Sequence, residues 1–272
     1  MRSRRVVSYA LTALFLMGFF RFLENFMLYH PSSVIDLTPA AYSVPFEDVR
    51  FEAADGTRLH AWYAPPPEAD GPVLLWAHGN AGNLAHRAEN VAAFRREARA
   101  GVFIFDYRGF GLSEGSPGEE GLYSDARGAY AWLRTRVPPE RLFLFGRSLG
   151  AAVVVKLAAE GVQARGLILE SPFESLVAMG RNIFPFLPVS WIVSQKFDNA
   201  ALLPSVRMPV FILHGDADQI VPFEQGKRLF EAAPAPKRFY RIPGAGHNGT
   251  YLLGGPPYWE AWRAFLRNPE GG

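Results

Sequence analysis

Gly146-Arg147-Ser148-Leu149-Gly150 sets a serine between two glycines where one apolar run, Arg141 to Phe145, gives way to another rich in alanine and valine, Leu149 to Glu160. The first run predicts a buried strand and the second a helix, so Ser148 falls on the turn that joins them. A serine carried there with its hydroxyl outward suits nucleophilic attack on an acyl carbon. Glycine at both flanks suits the same purpose, because a side chain at either place would collide with the adjoining strand or helix.

A serine hydroxyl is a weak nucleophile near neutral pH. It needs a general base within hydrogen-bond reach and a carboxylate to orient that base. Pro209 to Leu213 predicts a further strand running into His214-Gly215-Asp216-Ala217-Asp218, a turn with two candidate acids, of which Asp218 is chosen. Lys237 to Ile242 predicts the next strand, followed by Pro243-Gly244-Ala245-Gly246-His247, an irregular glycine-marked loop from which His247 can project as the base. The third requirement is a set of N–H donors for a developing oxyanion. Pro72 to Ala77 predicts a strand ending in His78-Gly79-Asn80-Ala81-Gly82-Asn83, whose small residues bring the Asn80 amide within reach. The Leu149 amide, at a helix N-terminus where the dipole favours negative charge, is the second donor.

These segments, with Asp106-Tyr-Arg-Gly-Phe-Gly-Leu-Ser-Glu-Gly115, resemble the α/β-hydrolase superfamily over most of the chain after about residue 45. The chain order Ser148, Asp218, His247 is that of the superfamily triad. The N-terminus and the loop at 78–83 look most like a membrane-anchored branch that includes depalmitoylating thioesterases and serine-aminopeptidase-like bacterial hydrolases. The resemblance implies that Asp218, in Gly-x-x-Asp, is the acid and that Asp106 is structural. It also implies an α/β-hydrolase fold with a mostly parallel twisted sheet, helices on both faces and a short cap insertion after the sixth strand. Asn80 beside a histidine-glycine pair is similar to the halide loop of dehalogenases, but those enzymes use an aspartate nucleophile, and serine occupies the turn here.

The implied reaction is hydrolysis of a carboxylic ester or thioester through an acyl-serine intermediate. Two alternatives stay open: a peptidase acting on short peptides, and a catalytically silent member acting as a binding protein. No cofactor is implied, and no metal, since no pair of histidines shows helical ligand spacing beside carboxylates. His78 and His214, before glycine at strand ends, read as hydrogen-bonded structural residues. His86 falls on a predicted helix, and His30 and His60 lie far along the chain from the motifs.

At 272 residues and 49% hydrophobic content, the chain can bury one sizeable α/β core. Its net charge of +2 comes from interspersed arginines such as Arg95, Arg96 and Arg99, a solvated face rather than a nucleic-acid stripe. Cysteine is absent, which excludes disulfides, a thiol nucleophile and thiolate metal sites. Met1-Arg-Ser-Arg-Arg5 precedes an apolar run, Val6 to Phe20, that covers about 22 Å as a helix. Continued to Leu23 or Leu28, with Arg21 and Glu24 snorkelling, it would cross a ~30 Å hydrocarbon core. No small-x-small cleavage site follows it, so an uncleaved single-span anchor is expected over 1–30. The arginines before the span predict a cytoplasmic N-terminus and a catalytic domain facing outward, into the periplasm of a bacterium. The expected partners are then a small-molecule ester, a lipid or an acylated protein near that membrane, with no nucleic acid.

The remaining residues predict a linker over 31–44 and a catalytic domain over 45–272. That domain opens with a hairpin of Val44 to Phe51 and Arg58 to Ala64 around Asp55-Gly56. Strands then alternate with helices (Val73 to Ala77, helix Ala85 to Arg99, Val102 to Asp106, helix Glu119 to Arg136, the pair around Ser148, Gly166 to Leu169), as a mostly parallel sheet requires. The alternation breaks over the cap segment 172–205, where Phe184, Phe186, Leu187, Trp191, Ile192, Val193 and Phe197 serve equally as an apolar lid over the site or as ordinary packing.

Overall fold

The computed structural model describes Gly18, Arg21 and residues 23–271, and it resolves the apolar runs into strands of a single large sheet. In chain order the strands are β1 (His30–Pro31), β2 (Glu47–Glu52), β3 (Arg58–Ala64), β4 (Val73–Ala77), β5 (Ala81–Gly82), β6 (Gly101–Phe105), β7 (Leu142–Arg147), β8 (Gly166–Glu170), β9 (Val210–Gly215) and β10 (Lys237–Ile242). The helices are α1 (Ala88–Glu97), α2 (Glu119–Arg134), α3 (Leu149–Ala159), α4 (Leu176–Ile183), α5 (Val189–Ile192), α6 (Asn199–Leu202), α7 (Phe223–Ala232) and α8 (Thr250–Arg267). The large sheet has the order β10-β9-β8-β7-β4-β6-β3-β2. It is parallel from β10 to β6, with β3 and β2 added antiparallel as the hairpin.

Successive side chains of a strand point to opposite faces, so each buried strand feeds two cores. Leu75, Phe103, Leu144, Leu167 and Ile212 enter one core with Leu122, Ala126 and Leu133 of α2 and Val153 and Leu157 of α3. Trp76, Ile104, Phe145, Ile168 and Phe211 enter the other with Val91 and Phe94 of α1 and Trp262 and Phe265 of α8. The second core is built largely from ring contacts. Trp262 meets Phe94 at 4.8 Å and Phe145 at 4.9 Å, both edge to face. Covering the sheet on both faces leaves only the ends of its strands to carry a site.

Over the cap the apolar residues divide. Phe173 and Phe197, at its two ends, are core residues, whereas Phe186 and Trp191 are 97% and 89% exposed. The cap is three short helices, α4, α5 and α6, and a 3-10 turn at Leu203–Ser205, with α4 started by a Ser175 side-chain cap on the Ala178 amide. Residues 31–44 are docked rather than free: the 3-10 turn Pro39–Tyr42 packs on α1, and the Asn83 side chain donates to Ser32 O at 2.9 Å and Val34 O at 2.6 Å.

The N-terminal expectation is corrected. Among the described residues no helix is long and apolar enough to cross a membrane. The run Val6 to Phe20, Gly18 excepted, lies outside the described residues. The continuation on which a full span depended is held by the catalytic domain: Glu24 accepts from the Ser194 and Gln195 amides at 3.0 and 2.9 Å, Asn25 donates to Pro117 O at 3.3 Å, and Tyr29 is buried. A carboxylate so engaged is not snorkelling from lipid. The transmembrane signal anchor, the single-pass membrane location and the outward, periplasmic orientation derived from it therefore have no support.

Truncating Trp262 would leave a ring-lined void that the sheet cannot collapse to fill. Trp262→Ala is expected to lower the unfolding free energy by about 3–5 kcal/mol and Trp262→Phe by clearly less, read from urea or guanidinium midpoints. Equal losses for the two would contradict the packing account.

Candidate active site

Ser148 opens α3 as its N-cap with φ 53° and ψ −117°, a backbone conformation that costs a non-glycine residue about 1–3 kcal/mol. The surrounding structure imposes it. Ser148 N donates to Glu170 O and Ala151 N to Ser148 O, both at 2.9 Å. A Cβ on Gly146 would lie 2.3 Å from Gly150 O, and one on Gly150 would lie 1.9 Å from Ala77 O. Only glycine permits helix α3 to start this close to β7 and β4.

His247 arrives from the loop after β10 and stands between the other two predicted residues. Its Nδ1 is 2.8 Å from Asp218 Oδ2 and its Nε2 3.0 Å from Ser148 Oγ. The Asp218 carboxylate, in the turn after β9, accepts from the Ile220 and Val221 amides at 2.9 Å each, and His214 Nε2 lies 3.4 Å from its second oxygen. Burial alone would raise this carboxyl. Hydrogen bonds from His214, His247 and the Val221 amide outweigh it and hold the group well below the usual carboxylate range. An ionised Asp218 retains the ring proton on Nδ1 of His247 and turns the Nε2 lone pair toward Ser148. The other acid of the turn, Asp216, instead receives Arg241 at 2.7 Å and the Gly244 amide at 2.7 Å, away from His247.

Ala77 of β4 and Gly146 of β7 are register partners in adjacent parallel strands. Asn80 and Leu149 each follow three residues later, so the two candidate oxyanion amides come off neighbouring strand ends. A Cβ on Gly79 would lie 3.8 Å from the Ser148 Cβ, which places the Gly79–Asn80 peptide alongside the serine. Asp106, buried at the end of β6, accepts from the Leu84 amide at 3.1 Å and ties down the far end of the loop. Gly111 is required opposite it, since a Cβ there would lie 1.9 Å from Asp106 Oδ2.

Several residues escaped the sequence reading. Arg147, next to the serine, donates through Nη2 to His247 O at 2.9 Å, and its Nε lies 3.3 Å from Glu170 Oε1. Glu170, buried at the end of β8, also accepts from Thr250 Oγ1 at 2.6 Å and the Tyr258 hydroxyl at 2.7 Å. Burial and the adjacent Glu170 push the Tyr258 phenol well up, so it remains a donor. One buried carboxylate thus links the serine turn, the His247 loop and helix α8. A charged residue inside the serine motif and a lone glutamate closing an apolar strand were visible signals, but their hydrogen-bond partners in the His247 loop and helix α8 are 80 to 100 residues away. His30 and His60, far from the motifs in sequence, touch them in space: His30 pairs with Ala81, and His60 Nδ1 is 3.9 Å from Asp106 Oδ2. A cavity of about 340 Å3 opens beside His247, lined by Ala217, Gln219, Ile220, Gly246 and Asn248. A larger depression of about 830 Å3 lies at the opposite strand ends, around Arg165, Arg207 and Asn268, and contains none of the candidate residues.

Comparison with known proteins agrees with this geometry at the level of fold and family. Residues 68–202 match the serine aminopeptidase S33 family model. An alpha/beta hydrolase domain-containing protein of Arabidopsis thaliana is 34% identical over 250 residues, covering 85% of this chain and 81% of the relative. A lysophosphatidylserine lipase of Danio rerio is 35% identical over 238 residues, 77% of this chain and 62% of the lipase. Among solved structures, an esterase of Pyrococcus furiosus superposes with a TM-score of 0.72 over 89% of this chain and 100% of the esterase, at 22% identity. At that identity the likeness speaks for the fold alone.

The Asp218 environment has a consequence for stability. A carboxyl depressed on folding contributes stability above its unfolded pKa of about 3.9 and loses it as pH falls through the lower, folded value. Asp218→Asn is therefore expected to be destabilised relative to the parent above about pH 5, with the gap closing toward about pH 2. Urea midpoints measured across that range check it, and a pH-independent gap contradicts the account.

Proposed function

The chain belongs to the α/β-hydrolase family and is a hydrolase, and on that footing we propose that it cleaves carboxylic esters or thioesters through an acyl-serine intermediate on Ser148. The observation that carries this reading is His247 bonded at one nitrogen to Asp218 and at the other to Ser148, beside a serine held in a strained backbone conformation. Ser148 Oγ attacks the acyl carbon while His247 Nε2 takes the hydroxyl proton. Asp218 holds the ring and balances the imidazolium that forms. The carbonyl oxygen becomes an oxyanion facing the Asn80 and Leu149 amides, each worth about 3 kcal/mol of transition-state stabilisation in comparable sites. Imidazolium then protonates the leaving alcohol or thiol, and the acyl group stays on Ser148 Oγ. Water, deprotonated by His247, attacks the acyl-serine, releasing the acid and restoring the hydroxyl.

Lipid esters belong in the substrate class considered, supported by the lipase among the relatives and by the exposed apolar side chains of the cap. The relation to serine aminopeptidases makes aminoacyl substrates the informative controls.

Ser148→Ala is expected to lower kcat/KM on nitrophenyl esters by at least about 1,000-fold while leaving the thermal midpoint little changed, because alanine keeps the Cβ and the backbone conformation of the serine and removes only the hydroxyl. Acyl-Ser148 should be trapped by mass spectrometry under rapid quench. Wild-type protein that cleaves no ester or thioester of any chain length and escapes fluorophosphonate labelling sinks the reading. Turnover confined to aminoacyl anilides transfers it to peptide bonds.

A further inference from the structure

The loop carrying Asn80 is poorly equipped to hold itself. Gly79, Ala81 and Gly82 surround Asn80 with almost no side chain to pack, and none of these four residues is buried. A donor for an oxyanion is effective only when it is aimed before the charge appears. The restraint must come from elsewhere, and the hydrogen bonds show where.

The Gly79 carbonyl and the Asn80 N–H lie in one peptide plane and point in opposite directions. His78 Nδ1 lies 2.7 Å from Gly79 O; a carbonyl only accepts, so Nδ1 is the donor and the plane is held from behind. The next grip comes from residues 24–32. Asn80 Nδ2 donates to Leu28 O at 2.8 Å and Asn80 O accepts from His30 N at 2.9 Å, so Asn80 is gripped by side chain and backbone at once. β1 then runs parallel to β5, His30 against Ala81 and Pro31 against Gly82, and Ser32 N reaches Gly82 O at 3.2 Å.

The same stretch is fastened to the end of the cap. Gln195 N donates to Glu24 Oε1 at 2.9 Å, Gln195 Nε2 to Asn25 Oδ1 at 2.7 Å, and the buried Tyr29 hydroxyl to Gln195 Oε1. Burial, then Glu119 and Glu24, push the Tyr29 phenol up, so it donates throughout the physiological range. Gln195 Oε1 also receives the Glu119 amide at 2.8 Å, which anchors the junction on α2.

We infer that residues 24–32 are a positioning strap of the hydrolytic site, aiming the Asn80 amide and fixing the adjoining edge of the cap, with Asn80 and Glu24 as its two fasteners. This rests on the acyl-serine reading of Ser148. The strap works through the backbone of Asn80 and touches no reacting atom. Its loss should therefore appear in the chemical step more than in substrate binding.

The test uses the full chain and a nitrophenyl ester. Asn80→Ala keeps the backbone amide and removes the bond to Leu28; kcat is expected to fall about 10-fold with KM within about twofold and little change in thermal midpoint. Glu24→Ala, distant from the serine, is expected to lower kcat about threefold to fivefold. Glu24→Gln should restore most of it, because the amide oxygen still accepts from residues 194 and 195. Unchanged kcat in both alanine variants, or losses that follow the thermal midpoint and are not rescued by Glu24→Gln, would overturn the inference and leave the strap a purely structural element. Wild-type turnover that survives Ser148→Ala is a different result: it removes the acyl-serine reading itself, and the inference falls with it.

Discussion

Among the described residues, the closest approach to backbone that glycine alone allows is between helix α3 and the end of β4, where a Cβ on Gly150 would fall 1.9 Å from Ala77 O. The rest of the site depends on that contact. It forces the chain to turn sharply at Ser148 into positive φ, and it presses the serine turn against the strand whose continuation is the 78–83 loop. Two pieces of chain 70 residues apart thereby become neighbours at a fixed distance before any catalytic side chain is considered. The sheet supplies the stiffness that makes this contact sustainable, since β4 and β7 lie at its centre with filled cores on both faces.

Around this contact stand three buried carboxylates at the ends of adjacent or nearby strands: Asp106 after β6, Glu170 on β8 and Asp218 after β9. Glu170 and Asp218 are each surrounded by donors drawn from different elements, whereas Asp106 accepts from the Leu84 amide through Oδ1 and its Oδ2 has no hydrogen-bond partner among the described residues. A carboxylate placed where water cannot reach it is stable only with such partners, and once partnered it holds the donors rigidly. Asp106 fastens the 78–83 loop, Asp218 bonds the His247 ring, and Glu170 collects Arg147, Thr250 and Tyr258. Arg147 then reaches from the serine motif to the carbonyl of His247, so the histidine is held by its ring on one side and its backbone on the other. The tight coupling of the three triad positions follows from this shared network rather than from their pairwise contacts alone.

The N-terminal segment illustrates how the same residue types can support opposite readings. Glu24 and the apolar residues around it fit a membrane span by composition and length, since a glutamate in such a run is read as snorkelling. In three dimensions Glu24 faces the amides of residues 194 and 195, and the chain continues into a strand against the oxyanion loop. Periodicity carries no information about which surface an apolar segment will cover, because lipid and protein present it with the same chemistry.

Much of the scaffold was legible in the amino-acid order. Alternating apolar strands and helices, the hairpin around Asp55-Gly56, and the turn at Ser148 follow from local rules in which side-chain period and glycine sterics act over a few residues. Ser148, Asp218 and His247 were singled out for the same reason, each lying in a short segment of distinctive residue types, and the structure brings their side chains within hydrogen-bond distance of one another. What only the tertiary structure decided is everything that depends on contacts between distant segments. The division of the cap into core and exposed aromatics, the pairing of Asp216 with Arg241, the link from Arg147 through Glu170 to Tyr258, and the strap on Asn80 all belong there. Local sequence specifies what each segment can form, whereas the positions of its distant partners are set only when the whole chain packs and most buried donors and acceptors find mates in other segments.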